Sequence, residues 1–151
     1  MIEGVIVKPL KIHADDRGHL MEILRDDDEA FEGFGQVYIT TCYPGVVKAW
    51  HMHAIQTDHL VCVQGTMKVG LFDDRAESES CGQVMSVVLG VVHPALVRVP
   101  PRVWHGFTPL GNELAMLLNI PSVHYDYQHP DEMRRDPFDP EIPFEWITRG
   151  G

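Results

Sequence analysis

Positive charge is scarce in this 151-residue chain, where 12 Lys and Arg residues stand against 22 Asp and Glu residues. The formal net charge is -10 at pH 7. A nucleic-acid-binding protein needs a basic face that displaces counterions from phosphates, so this composition excludes that class. A few local Arg and Lys side chains can still hold an anionic small ligand such as a diphosphate. The charge balance therefore allows an anionic small ligand, and the simplest role of the excess acidity is to aid solubility.

Cysteines and long apolar runs are also few. The three cysteines, Cys42, Cys62 and Cys81, have no paired spacing, which excludes a disulfide framework. No signal peptide is recognisable at the N-terminus, and no apolar stretch is long enough to span a bilayer. These absences predict a protein of the reducing cytoplasm without a membrane partner.

Helix signals are sparse, whereas short runs rich in Val and Ile recur about every ten residues between turn signals. This pattern predicts an all-β sandwich or barrel, and the length predicts one domain over residues 1–151. Short helical turns are expected only at 26–31 and 131–135. Residues 136–146 hold three prolines and predict an extended tail that wraps the barrel.

The most informative segment carries two histidines two residues apart, His51 and His53, which share one face of a strand. Asp58 opens the next predicted strand and can face the same side. A third histidine, His105, follows the proline turn at 100–101 and enters another strand. The pattern predicts that these imidazoles and the carboxylate converge inside the barrel.

This spacing resembles the two cupin motifs. The first motif is matched at every position by Gly45, His51, His53, Asp58 and Gly65, with aspartate where glutamate is usual. The second is matched by Pro100 and His105, with Arg102 in place of glycine. The resemblance implies a double-stranded β-helix, or jelly-roll barrel. In metal-binding cupins the matching positions hold Zn, Fe, Mn or Ni, and the candidate ligands here are His51, His53, Asp58 and His105.

Further motifs are similar to those of the dTDP-4-dehydrorhamnose 3,5-epimerase family, over roughly Ile12 to Trp146. The matching segments are 15–22, 48–53, 73–82, 104–107 and 139–146. The resemblance implies a homodimeric isomerase, either an epimerase or a ketoisomerase, that removes a proton beside the ketone of a nucleoside-diphosphate 4-keto-6-deoxy sugar and needs no cofactor. An N-terminal strand such as 5–10 often pairs across the subunit interface in that family.

The resemblance also implies roles for individual residues. His51 matches the catalytic base, and Asp139, with Asp136 as the alternative, matches the aspartate that orients it. A carboxylate behind the imidazole fixes its tautomer. His105 is expected to contact the substrate or its enolate oxygen. The expected substrate contacts are Arg17, Glu22, Lys48, His53 and Tyr127, of which Arg17 and Lys48 would hold the diphosphate.

Three positions depart from the family pattern. Asp58 stands where the family has a lysine, and Leu20 where it has a phenylalanine that stacks on thymine. The strand expected at 114–119 lacks the family's proton-donating tyrosine, for which Tyr125 and Tyr127 are the candidates. The alternative hypothesis is therefore a metal-binding cupin with other chemistry, or a cupin that binds a ligand without turnover.

The remaining histidines and tryptophans are expected to serve structure. Trp50 and Trp104 each precede a motif histidine and so face away from the barrel interior, against another layer or subunit. His59 lies one residue from Asp58 and is expected to point outward, at the surface.

Overall fold

A computed structural model describes residues 1–146, whose regular structure is twelve β-strands without a helix. None of these residues forms a helix long and apolar enough to cross a membrane. The strands are β1 (Ile6–Pro9), β2 (Ile12–Asp15), β3 (Gly18–Met21), β4 (Tyr38–Cys42), β5 (Lys48–Met52), β6 (Asp58–Gln64), β7 (Thr66–Phe72), β8 (Val84–Gly90), β9 (Ala95–Val99), β10 (Trp104–Pro109), β11 (Ala115–Asn119) and β12 (Met133–Arg134).

Two five-stranded antiparallel sheets form the barrel. The first has the order β1-β9-β6-β11-β4, and the second has the order β12-β5-β10-β7-β8. A separate hairpin consists of β2 and β3. The non-consecutive neighbours mean that the chain crosses repeatedly between the sheets, as in a jelly roll. The all-β jelly-roll prediction is confirmed.

Alternation along the strands divides the apolar residues among three layers. On β6, Leu60 and Cys62 face the core between the two sheets, together with Met67, Val69 and Leu71 of β7. Every second residue of β6 faces the other way. Both faces of the first sheet are therefore buried, so the outer face needs its own cover.

The outer face of the first sheet is covered by the segment after β3. Val61 of β6 packs there against Ala30 and Leu24. His59 points to the same side and is fully buried, with Nδ1 2.6 Å from the Ile120 carbonyl oxygen and Nε2 2.8 Å from that of Ala30. His59 therefore points away from the core between the sheets, as predicted. The prediction that it lies at the surface is wrong, because the segment after β3 covers this face of β6.

The expected helical turn at 26–31 does not form. Residues 25–31 make two successive tight turns, in which Asp28 N–H donates to the Arg25 carbonyl and Phe31 N–H donates to that of Asp28. The Asp28 carboxylate accepts from Arg25 N–H at 2.8 Å and pairs with Lys8 on β1. These side-chain bonds tie the turns to the first sheet and compete with helix formation.

The second expected helical turn, at 131–135, is instead an edge strand. β12 pairs with β5, and Arg134 lies opposite His51 in the register. Just beyond the strand, Arg135 and Trp50 exchange two backbone hydrogen bonds of 3.1 Å each. Pairing with an open sheet edge satisfies this backbone, which a single helical turn would leave unpaired.

The C-terminal tail covers the outer face of the second sheet, as predicted. The Trp50 ring lies 4.7 Å from that of Trp146 and 5.4 Å from that of Phe144. Trp104 belongs to the same buried cluster, so both tryptophans face away from the barrel interior as expected. Gly70 allows this close approach, because a Cβ there would lie 2.7 Å from the Trp146 and Phe144 rings.

We expect Trp146→Ala to lower the free energy of unfolding by about 3–5 kcal/mol, because it empties the centre of this cluster. The matched control is Phe138→Ala, in the same tail, since Phe138 is 67% exposed. The control should change stability by less than about 0.5 kcal/mol. Urea denaturation measures both, and equal midpoints for the two variants would contradict the packing described.

Candidate active site

A cavity of about 780 Å³ opens between the two sheets. Its first wall comes from β4, β6 and β11, and its second wall from β5, β10 and β12. The cavity has the size of a small-molecule site, and its apolar lining is interrupted by a few polar groups. The predicted residues Lys48, His51, His53, His105 and Tyr127 border it.

Strand pairing brings the three motif histidines together. His51 on β5 lies directly opposite His105 on β10. The ring centroids of His51 and His105 are 6.4 Å apart, and those of His53 and His105 are 5.8 Å apart. The predicted convergence of imidazoles inside the barrel is therefore confirmed.

Two left-handed residues shape the turns that the motifs require. Gly65 has φ 74°, and a Cβ there would lie 2.9 Å from the Leu114 carbonyl oxygen. Arg102, where the second motif usually has glycine, keeps the same backbone conformation with φ 64°. The Arg102 N–H donates to the His53 carbonyl at 2.7 Å. This bond joins the turn before His105 to the end of β5.

Asp58 forms the buried centre of the polar network, with 1% of its surface exposed. Its Oδ1 accepts from Gln56 Nε2 at 2.8 Å and from Asn119 Nδ2 at 2.7 Å. Its Oδ2 lies 3.2 Å from His105 Nε2 and 3.4 Å from His53 Nε2. Burial alone would raise the pKa of Asp58, but the hydrogen bond and charge of His105 outweigh burial and lower it.

The tautomers of His53 and His105 follow from their other contacts. His105 Nδ1 lies 3.1 Å from the Val103 carbonyl oxygen, and His53 Nδ1 contacts that of Asp131, so both nitrogens donate. Each Nε2 then faces the Asp58 carboxylate, which only accepts. Burial alone would lower the pKa of His105, but Asp58 outweighs burial and raises it. Both nitrogens of His105 thus face acceptors, which is the arrangement expected of an imidazolium–carboxylate pair.

His51 has the opposite character. Its Nδ1 lies 2.8 Å from Glu132 Oε1 and donates to that carboxylate. Burial lowers the pKa of His51, although Glu132 partly offsets the effect. Within residues 1–146, Nε2 has no hydrogen-bond partner and keeps its lone pair free. A neutral imidazole with a fixed tautomer and a free nitrogen is suited to accept a proton.

Glu132, and not Asp139, is the carboxylate behind His51. Arg134 donates to Glu132 Oε2 at 2.7 and 3.0 Å, and this bond and His51 lower the pKa of Glu132 against the opposing effect of burial. Asp139 pairs with Arg135 at 3.1 Å, and Asp136 accepts from the Phe138 N–H. Both aspartate predictions are wrong. Glu132 immediately precedes β12, and the pairing of β12 with β5 brings Glu132 to His51, whereas the two aspartates lie further along the chain.

Two expected substrate contacts lie outside the cavity. Arg17 sits at the tip of the β2–β3 hairpin, where its 85% exposed side chain pairs with Asp15. Glu22 follows β3 and pairs with Arg25 at the surface. Arg17 and Glu22 do not line the cavity of their own chain, because the hairpin is a separate sheet, and their contact with substrate stays a prediction.

The predicted metal set is only partly assembled. His53, Asp58 and His105 offer ligand atoms that all lie within 4.8 Å of one another. His51 stands outside this group because Glu132 holds its Nδ1 and turns the ring. Two imidazoles and a carboxylate are a suitable donor set for a divalent transition metal. The geometry therefore reduces the expected four ligands to three.

Sequence comparison decides the family. Residues 1–150 match the family described as dTDP-4-dehydrorhamnose 3,5-epimerase. The chain belongs to this family. It is accordingly a sugar epimerase, an isomerase, as the sequence motifs predicted.

Curated relatives and a solved structure agree with membership of the epimerase family. A Haloferax volcanii protein described as "Probable low-salt glycan biosynthesis epimerase Agl13" is 42% identical over 140 residues, 91% of this chain and 89% of the relative. The Bacillus subtilis spore coat polysaccharide biosynthesis protein SpsL is 39% identical over 98% of each chain. The crystal structure of a dTDP sugar isomerase from Desulfovibrio desulfuricans superposes with a TM-score of 0.89 at 31% identity, covering 96% of this chain and 92% of that one.

We expect Glu132→Gln to lower the epimerase kcat at least about 100-fold, because the tautomer of His51 is no longer held by a carboxylate. Asp139→Asn is the matched control and should keep kcat within about twofold. Steady-state turnover of a nucleoside-diphosphate 4-keto-6-deoxy sugar measures both variants, with circular dichroism to check folding. Loss of turnover in Asp139→Asn but not in Glu132→Gln would contradict the assignment.

Proposed function

We propose that this epimerase acts on a dTDP-linked 4-keto-6-deoxy sugar and that His51 removes the proton next to the ketone. The observation that carries the proposal is the neutral His51, whose Nε2 is free and whose Nδ1 is held 2.8 Å from Glu132. The family description and the D. desulfuricans isomerase support a dTDP sugar as substrate.

Proton removal beside a ketone also requires a cation or a hydrogen-bond donor near the carbonyl oxygen, where the enolate develops its charge. His105 lies on the strand next to His51, and because both of its nitrogens already face Val103 and Asp58, it would act on the enolate by its charge and not by a direct hydrogen bond. Asp58 keeps His105 charged and is itself fully hydrogen-bonded, so it does not compete for the substrate. Chemistry of this kind uses side chains alone and requires no cofactor.

The diphosphate is assigned to the cations that border the cavity. Lys48 Nζ donates to Thr40 Oγ1 at 3.0 Å, and two of its hydrogens remain for phosphate oxygens. Arg134 lies on β12 with 70% of its side chain exposed. Arg135 also borders the cavity, but Asp139 and Glu141 already occupy its donors. Lys48 and Arg134 are therefore the diphosphate contacts that we propose in this chain.

The product is proposed to supply polysaccharide synthesis, because both curated relatives carry names of glycan or polysaccharide biosynthesis. A homodimer is part of the proposal. Leu20, 61% exposed on the β2–β3 hairpin, offers an apolar surface for a second copy. The cytoplasm is the proposed location, and the free, exposed thiol of Cys81 suits a reducing compartment.

Incubation with dTDP-4-keto-6-deoxyglucose in deuterated water should place deuterium at a carbon beside the ketone and form an epimer. His51→Gln should lower both rates at least about 100-fold, because no other imidazole that borders the cavity within residues 1–146 has a nitrogen left free by its hydrogen bonds. NMR of the nucleotide sugar follows both events. Wild-type protein that neither exchanges nor inverts this sugar would refute the proposed function.

A second candidate function, metal binding, is favoured by one observation. His53, Asp58 and His105 converge, and each imidazole has its outer nitrogen fixed by a backbone carbonyl so that Nε2 faces Asp58. Metal-ligating histidines typically donate their other ring N–H to a backbone carbonyl or a carboxylate in this way. A divalent cation held there would supply the positive charge that protons otherwise supply to the cluster.

If this candidate is correct, purified protein should contain about one equivalent of a divalent transition metal per chain. His53→Ala should lose the metal, whereas the control His51→Ala should keep it. Elemental analysis of the three proteins decides, together with thermal unfolding with and without added Zn²⁺. Less than about 0.1 equivalent and an unchanged Tm would refute metal binding.

A further inference from the structure

Inversion at a carbon needs two groups, one on each face of the substrate. After a base removes the proton from one face, the enolate is planar, and a second group must deliver a proton to the other face. The family tyrosine expected for this step is absent, since β11 (Ala115–Asn119) contains no tyrosine. The described cavity must therefore supply the donor from another element.

Tyr38 lies on β4, the strand that pairs with β11. It opens β4 and is the register partner of Asn119, the last residue of β11. Tyr38 borders the cavity from the first sheet, whereas His51 borders it from the second sheet. The tyrosine and the proposed base thus stand on opposite walls of one cavity, as delivery to the opposite face requires.

The hydrogen bonds of Asn119 fix the Tyr38 hydroxyl. Asn119 Oδ1 accepts from the His59 N–H at 3.2 Å, so its amide nitrogen must face the cavity. This Nδ2 donates to Tyr38 Oη at 2.9 Å and to Asp58 Oδ1 at 2.7 Å. Tyr38 Oη is therefore an acceptor in this bond, and its own proton has no acceptor within residues 1–146. The free proton is available to a ligand.

The protonation state of Tyr38 suits a donor. Although 43% of the Tyr38 surface is exposed, partial burial in the cavity wall raises its pKa, and the negative charges of Asp58 and Glu132 act in the same direction, against the bond from Asn119. The hydroxyl is thus protonated at neutral pH. The amide of Asn119 also remains in place to stabilise the phenolate that is left once the proton has been delivered.

The other tyrosines lack this support. Tyr125 and Tyr127 stack on each other at the cavity mouth, with ring centroids 5.0 Å apart, and Tyr127 is 89% exposed. Tyr43 lies outside the cavity lining and is 67% exposed. Among the described tyrosines, Tyr38 is the one with its hydroxyl bonded to the buried polar network.

We propose that Tyr38 is the proton donor opposite His51, an assignment that rests on the proposed epimerase function. The enolate electron pair forms the new C–H bond to the Tyr38 proton, the ketone re-forms, and the electrons of the O–H bond stay on Tyr38 as phenolate. His51 then releases the proton that it removed to water, and water reprotonates Tyr38. The two transfers leave the net charge of substrate and protein unchanged.

The test separates proton removal from inversion. In deuterated water, Tyr38→Phe acting on dTDP-4-keto-6-deoxyglucose should form epimer at least about 100-fold more slowly than wild type. Deuterium exchange into substrate of unchanged configuration should fall by no more than about tenfold, because His51 can return a deuteron to the face it deprotonates. Retained exchange also shows that the variant is folded. Tyr43→Phe is the control and should match wild type in both rates.

Each other outcome is decisive. If Tyr38→Phe inverts the sugar at the wild-type rate, the Tyr38 assignment is overturned and the proposed function stands. This conclusion holds whether or not Tyr125→Phe or Tyr127→Phe loses inversion. Loss of exchange together with inversion in a folded Tyr38→Phe would also overturn it, since the residue would then act in enolisation. Absence of exchange in the wild type would overturn the proposed function and the donor with it.

Discussion

The hydrogen bond from His51 to Glu132 is the interaction on which the candidate site depends. A buried imidazole is free to take either tautomer unless one nitrogen is held, and only the form with a free Nε2 presents a base to the cavity. A hydrogen bond to a charged group contributes about 1.5–3 kcal/mol, enough to fix that form. The bond exists because β12 pairs with β5, so the register of a two-residue edge strand determines the protonation chemistry.

Asp58 sets the charge on the other side of the same cavity. Burying a carboxylate is costly unless its lone pairs are satisfied. Here Gln56 and Asn119 donate to one oxygen, and His53 and His105 face the other. The aspartate that departs from the family lysine is thus accompanied by His105, whose raised pKa favours a positive charge beside it. Asp58, His53 and His105 form one arrangement. In it, the positive charge that the family pattern has at residue 58 is found at residue 105.

Much of this site could be predicted from the sequence, because its motif residues obey local periodicity. The spacing of His51 and His53 places them on one face of a strand, and the motif position of Arg102 requires a turn before His105. Glu132 could not be identified in this way. Its segment is charged and short, and the strand that follows it forms only by pairing with a distant edge. The resemblance to the family's Asp-Pro segment, by its spacing to Trp146, indicates Asp139 instead. The burial of His59 cannot be predicted for a similar reason, since only the folded chain shows the segment that covers it.

The role of Tyr38 could not be predicted from the sequence either. The short apolar run at 37–41 predicts a strand at this position, but the function of the side chain depends on which strand lies beside it. Pairing with β11 places Tyr38 against Asn119, and Asn119 in turn donates to Asp58. The Asp58 carboxylate therefore contacts His105 through one oxygen and the Asn119 amide through the other, and this amide positions Tyr38. Because both contacts converge on Asp58, a change at this residue alters the charge at the substrate carbonyl and the position of the proton donor together.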